Sequence, residues 1–364
     1  MKTAIIALTR LGAELALKLA QPIDADVYAK NRECPLSGNS FFDKYARNGG
    51  KVSVSTDFGK LVEKVFHTYD ALIFIMACGI AVRSIAPFVQ SKTKDPAVVV
   101  LDETGRFAIS LLSGHIGGAN RLAADIAAFT GGVPVITTAT DIHGVVAFDV
   151  FAEENHCAIE NIDALKYIGS ELVNGGSVGL YTDCTLSGML PPNVQRVYPG
   201  HRMKAVVVLS NSTDVPVTAE RVLYLRPKNL IIGIGCKKGK TRQEIEDAVI
   251  RFLDKNRKSP LSVLRLASID LKAREQGILE FCRERRLEFV TYPADKIKTV
   301  ENRFAASEFV RGVTGVGGVA EACAVLAGEK AKLVCPKTVY GGITLALAEE
   351  LNERGYTLSD RPTL

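Results

Sequence analysis

Along this chain, short aliphatic runs suited to strands keep giving way to stretches with a helical period. Residues 3–8 read as a strand, 11–20 as a helix and 25–28 as a second strand. Asp57 can N-cap a helix to Phe66, and 71–77 and 98–101 are fully apolar strand-like runs. Residues 107–112, 121–129 and 133–136 follow as strand, helix and strand. Later strands are expected at 205–209, 221–225 and 229–234. Thr241 and Glu244 form a capping box for a helix to Phe252, and 320–326 and 343–351 read as further helices. Residues 31–51 are rich in turn formers and predict a loop with one helical turn near 41–45.

This alternation predicts a multi-domain α/β protein of largely parallel layers with a central β-rich segment. Helical patterning thins after Asp141, and Arg226-Pro227-Lys228 precedes a fresh β-loop-α unit, so three segments are expected: 1–140, 141–226 and 227–364.

Composition narrows the class. A chain of 364 residues, 47% hydrophobic and 23% charged, is an ordinary globular protein able to bury large cores. Its net charge of +5 suits a small polyanionic ligand better than a nucleic-acid track, and no Lys/Arg block with interleaved aromatics occurs. The eight cysteines contain no C-x-x-C pair, which argues against a zinc site or disulfide framework and for a reducing cytoplasm. The opening MKTAIIALTR reads as a first strand, not a signal peptide. The longest apolar run, 71–82, falls short of the roughly 20 residues of a membrane span.

The candidate chemistry concentrates in glycine turns. Ser113-Gly114-His115-Ile116-Gly117-Gly118-Ala119-Asn120 links a strand to a helix, an arrangement that can aim backbone N–H groups at an anion. His115 in that turn is a candidate acid–base group, with helix capping as the structural alternative. His143, beyond the next strand, can join it. Asp102 and Glu103 sit in a strand-to-strand turn, either as catalytic carboxylates or as a solvated hairpin. In the last segment, Gly235 and Lys237 belong to GIGCKKGKT, which resembles a Walker A loop but has Ile234 where that motif needs glycine. Gly315, Gly317 and Gly318 spell G-x-G-x-x-A without an acidic partner about 20 residues on, so a nicotinamide cofactor is discounted. Glu321 follows on the helix after that loop. Lys337 precedes another turn at Gly341-Gly342. The five histidines have no metal-ligand spacing.

Together these blocks resemble the cobalt-precorrin-5A hydrolase (CbiG) family of anaerobic cobalamin biosynthesis. The resemblance rests on MACGIAVRSIAP (76–87), VVVLDETGRFAISLLSGHIGGAN (98–120) and GGVPVITTATD (131–141). It continues in GIGCKKG (233–239), IDLKAREQG (269–277), TGVGGVAEACA (314–324) and Lys337 with Gly341-Gly342. The later set is shared with small free-standing proteins of the aerobic pathway, and Arg274-Glu275-Gln276-Gly277 departs from the acidic residue and proline common there.

The resemblance implies a hydrolase that adds water to the ring A δ-lactone of cobalt-precorrin-5A and releases acetaldehyde, giving cobalt-precorrin-5B. Its substrate is a tetrapyrrole with many carboxylates, and cobalt arrives within it, so no protein cofactor is expected. His115, Asp102, Glu103 and Glu321 are then the catalytic candidates. Gly79, Arg83, Ser113, Gly114, Gly117, Gly118, Asn120, Gly235, Lys237, Lys272, Gly315, Gly317, Gly318, Lys337 and Gly341 are the substrate-binding candidates, gathered into a cleft between first and third segments. Contact with other cobalamin-pathway enzymes and a homodimer are compatible partners, and neither nucleic acid nor membrane is expected. A non-catalytic tetrapyrrole carrier and a nucleotide-dependent oxidoreductase are the alternative readings.

Overall fold

The computed structural model describes residues 1–30, 52–55, 57–91, 94–306 and 308–358. Cys34 and the helical turn expected near 41–45 lie outside the described residues. The chain forms two compact units, Met1–Val150 and Phe151–Asp360. No helix among the described residues is long and apolar enough to cross a membrane, and the seven described cysteines are free thiols.

The first unit runs β1 (Thr3–Ala7), α1 (Arg10–Ile23), β2 (Ala25–Lys30), β3 (Val52–Ser55), α2 (Phe58–Phe66), β4 (Ala71–Ile75), α3 (Cys78–Ile85), β5 (Ala97–Leu101), β6 (Phe107–Leu112), α4 (Ala119–Thr130), β7 (Val133–Val135), α5 (Ala139–Ile142) and the first residues of α6 (Phe148–Glu154). Asp57 caps α2 as expected, accepting from Lys60 N. One seven-stranded sheet has the order β3-β2-β1-β4-β5-β6-β7. Its central strands are buried on both faces, which is why they read as continuous apolar runs. Ile5, Ile73, Ile75, Val99 and Leu101 pack with α1 and α4, while Ile6, Leu72, Phe74, Val98 and Val100 pack with α2 and α3.

The direction of β6 decides where the loops emerge. β1 to β5 are mutually parallel, but β6 pairs antiparallel to β5, with Leu101 opposite Ala108 and Val98 opposite Leu112. β7 then runs parallel to β6. The loops after β6 and β7 therefore leave the sheet at one edge, and the loops after β4 and β5 leave at the opposite edge. The sequence reading gathers residues of these turns into one cleft; the hairpin reversal at residues 102–106 sends them to opposite edges of the sheet.

The second unit contains β8 (Cys157–Ile159), α7 (Ile162–Val173), β9 (Val178–Thr182), β10 (Leu186–Ser187), β11 (Val194–Arg196), β12 (Arg202–Leu209) and β13 (Thr218–Pro227), of which β11-β9-β12-β13-β8 form a sheet. It continues through β14 (Leu230–Cys236), α8 (Arg242–Lys255), β15 (Val263–Ile269), α9 (Gln276–Arg285), β16 (Glu288–Tyr292), α10 (Ala294–Lys298), α11 (Glu308–Thr314), α12 (Ala320–Leu326), β17 (Ala331–Tyr340), β18 (Ile343–Glu350) and β19 (Tyr356–Thr357). Here the sheet order is β16-β15-β14-β18-β17. The predicted capping box at Thr241 and Glu244 starts α8. Gly233 lets α12 lie on β14, since a Cβ there would fall 1.7 Å from Ala320 O.

The expected helix over 343–351 is instead β18, paired antiparallel with both β14 and β17. Gly341 and Gly342 have φ of 54° and 85° and form a two-residue loop between Tyr340 and Ile343. Two successive positive φ values favour the hairpin turn that matches strand twist, and pairing on both sides overrides the helix propensity of LALAEE.

Candidate active site at the 113–120 turn

The turn after β6 is held by close backbone contacts and a strained serine. Ser113 adopts φ +55°, an uncommon value for a residue with a side chain, and its hydroxyl donates to Asp95 O at 3.1 Å. A Cβ on Gly117 would sit 2.5 Å from Ser113 Cβ and 2.8 Å from Ser113 O, so the backbone can pass only without one. Gly118, at φ +82°, opens α4. Three amides at the start of that helix close back on the turn: Gly118 N to His115 O (2.8 Å), Ala119 N to Ser113 O (3.2 Å) and Asn120 N to Gly114 O (2.9 Å). The sequence suggested that they would face an anion; the turn's own carbonyls take them. The N–H groups of Ile116 and Gly117 donate to no acceptor among the described residues.

This closed turn presents His115 to two carboxylates. Its Nε2 lies 2.7 Å from Asp141 Oδ2 and 3.3 Å from Thr140 Oγ1, and its Nδ1 lies 3.4 Å from Asp149 Oδ1. The three side chains are only 10%, 17% and 10% exposed, in the order His115, Asp141, Asp149. Burial alone would lower the imidazole's pKa, but the hydrogen bonds and charges of Asp141 and Asp149 outweigh it and raise it to about 9. Asn120, buried at the start of α4, donates from Nδ2 to Asp141 Oδ2 and Thr138 Oγ1, both at 3.0 Å, while its Oδ1 accepts from Ser110 Oγ at 2.7 Å. Gly114 makes room for it, since a Cβ there would lie 2.7 Å from Asn120 Oδ1. The parallel pairing of β6 and β7 is what delivers residues 113–120 and 138–141 to one place.

His115, Ser113, Gly114, Gly117, Gly118 and Asn120 are thus brought together, joined by Asp141 and Asp149. Asp141 is legible in the sequence only as a neighbour of the turn, and Asp149 not at all; a short helix begins at Phe148 without a cap motif that would advertise it. His143 is exposed and its ring makes no hydrogen bond among the described residues. Gly79, Arg83, Asp102 and Glu103 lie at the opposite edge of the sheet. Asp102 there fixes the β5–β6 hairpin, accepting from Thr104 N (2.8 Å), Phe107 N (2.7 Å) and the Thr104 hydroxyl. Partial burial would raise its carboxyl, but those hydrogen bonds hold it below the usual range. Glu103 is exposed.

In the second unit, the glycine loops do receive carboxylates, and these are the chain's own. Gly239 N donates to Glu275 Oε1, whose other oxygen is 3.0 Å from Lys272 Nζ, and Gly317 N donates to Glu301 Oε2. Lys272 is therefore paired, while Lys237 is exposed beside Gly342. Glu321 is buried and meets Lys337, which donates its backbone N–H at 3.2 Å and places Nζ 3.7 Å away. Gly235 and Gly315 have open space at the Cβ position, Gly318 follows Gly317 in the Glu301-bound loop, and Gly341 belongs to the hairpin.

Comparison with known proteins agrees along the whole length. Residues 60–141 match the cobalamin synthesis G N-terminal family, 146–227 the cobalamin biosynthesis central region and 230–348 the cobalamin synthesis G C-terminus. The cobalt-precorrin-5A hydrolase of Salmonella typhimurium is 33% identical, the alignment covering 98% of this chain and 96% of the relative. That of Priestia megaterium is 31% identical over 95% and 94%. Protein CobE of a Sinorhizobium species is 32% identical across 33% of this chain and 79% of its own. Three consecutive family matches and two full-length relatives place the chain in the cobalt-precorrin-5A hydrolase (CbiG) family.

Proposed function

We propose that this protein hydrolyses cobalt-precorrin-5A and that the chemistry occurs at the His115 turn. The observation that carries the site assignment is His115 held between Asp141 and Asp149 within a glycine-tight turn. Opening a lactone requires a group that takes a proton from water, donors for the oxyanion that forms on the carbonyl carbon, and a proton for the departing alkoxide. The His115–Asp141 pair supplies the proton-transfer groups. The free amides of Ile116 and Gly117, two residues at most from His115 in sequence, supply candidate oxyanion donors.

The release of acetaldehyde calls on the same groups. Once the lactone is open, removing the proton of the freed hydroxyl drives cleavage of the adjacent carbon–carbon bond, and the macrocycle keeps the electron pair until it is protonated. A carrier would need carboxylate-binding loops but no such buried acid–base cluster. The test is incubation of the purified protein with cobalt-precorrin-5A, following acetaldehyde and the mass of the corrinoid product. Binding without acetaldehyde would favour the carrier.

A further inference from the structure

We infer that Asp141, through its Oδ1, accepts the proton of the attacking water, and that His115 remains protonated on both ring nitrogens as a fixed positive charge beside it. The inference rests on the proposed hydrolase reading and assigns roles within that site. A neutral imidazole carries one N–H and one lone pair. Here Nε2 is 2.7 Å from Asp141 Oδ2 and Nδ1 is 3.4 Å from Asp149 Oδ1, so a lone pair at either nitrogen would face a carboxylate oxygen. The Ser–His–Asp arrangement leaves one imidazole nitrogen free to take a proton; in this site a carboxylate oxygen faces each nitrogen.

Asp141 has the opposite geometry. Both donors that hold it, His115 Nε2 and Asn120 Nδ2, converge on Oδ2. Asn120 turns its nitrogen to this oxygen, since a carboxylate oxygen only accepts, and turns its own oxygen to the Ser110 hydroxyl. Oδ1 has no hydrogen-bond partner among the described residues and is not among the buried unpartnered atoms. One oxygen is thereby fixed and the other is left for water.

Asp149 then has a reason to be present. When Asp141 takes a proton its charge is lost, and an imidazolium with no other partner would be left buried and unpaired at considerable cost. Asp149 keeps that charge balanced. In the first step a water oxygen bonds to the lactone carbonyl carbon as its proton passes to Asp141 Oδ1; the acyl–oxygen bond then breaks and the alkoxide takes that proton. In the second, Asp141 removes the same hydroxyl proton, the carbon–carbon bond breaks, acetaldehyde leaves, and the proton is returned to the macrocyclic carbon. Asp141 ends as it began, and one water is consumed.

The experiment has two arms. Nitrogen-15 NMR of histidine-labelled wild-type protein should show His115 protonated at both ring nitrogens throughout the pH range of full turnover. A non-protonated ring nitrogen in that range overturns the inference and needs no variant to fold. Asp141→Asn should lower kcat for acetaldehyde release by roughly a thousandfold with KM changed little, and Asp141→Glu should recover part of it. An Asp141→Asn variant keeping more than about a tenth of wild-type kcat contradicts the assignment. If wild-type protein itself releases no acetaldehyde, it is the hydrolase reading that fails, and the NMR arm still reports the state of His115.

Discussion

Asn120 Nδ2 stands 3.0 Å from Asp141 Oδ2, and this bond helps tie the first turn of α4 to the segment after β7. Because the same amide also bonds Thr138 and is itself fixed by Ser110, it sets the carboxylate's position as well as stabilising it. Replacing Asn120 by alanine leaves Asp141 held by His115 alone. Outer partners that orient a reacting group are typically worth about 10–100-fold, so kcat should fall by that order while KM changes little. Steady-state kinetics on folded Asn120→Ala checks this; a change confined to KM would make Asn120 a binding residue.

Gly117 has a steric role that the same turn makes testable. Its missing Cβ would overlap both Ser113 Cβ and the Ser113 carbonyl, and Ser113 is held there by its hydroxyl's bond to Asp95 O and by Ala119 N donating to its carbonyl. Gly117→Ala should destabilise the first unit by about 1–3 kcal/mol and displace His115. Denaturant unfolding checks the first effect, and an unchanged midpoint would contradict this account of the turn.

Stability should depend on pH through His115. Its folded-state pKa is raised to about 9 from the ordinary 6.5, so the contribution of the Asp141 and Asp149 contacts is fully present below 6.5 and is lost as pH climbs through 9. In wild-type protein an unfolding free energy measured from pH 6 to 10 should therefore carry an alkaline decline that His115→Gln removes. The same decline in both proteins would locate the titrating group elsewhere.

Much of this was legible in the sequence, and for physical reasons. The run 107–112 and the turn after it are local: apolar strand, glycines, then a helix, and the structure has all three in place. What goes unread is the consequence of direction. The short 102–106 connection already implies an antiparallel return, yet the sequence reading groups Arg83 and Asp102 with His115, although the pairing of Leu101 with Ala108 sends them to the other edge. Asp149 is hidden for a similar reason: its partner is 34 positions away, and its helix has no distinctive start. The 343–351 stretch has helix-forming residues, and only its two strand neighbours make it a strand. Gly341-Gly342 was the available clue, since paired glycines between apolar runs favour a hairpin.

Opening of cobalt-precorrin-5A at the His115 turn is checked by single-turnover release of acetaldehyde from that substrate, comparing wild-type protein with folded His115→Ala. The wild type should give stoichiometric acetaldehyde and the mass of cobalt-precorrin-5B, with release slowed roughly a hundredfold or more in the variant. Acetaldehyde released at the same rate by both proteins would contradict it.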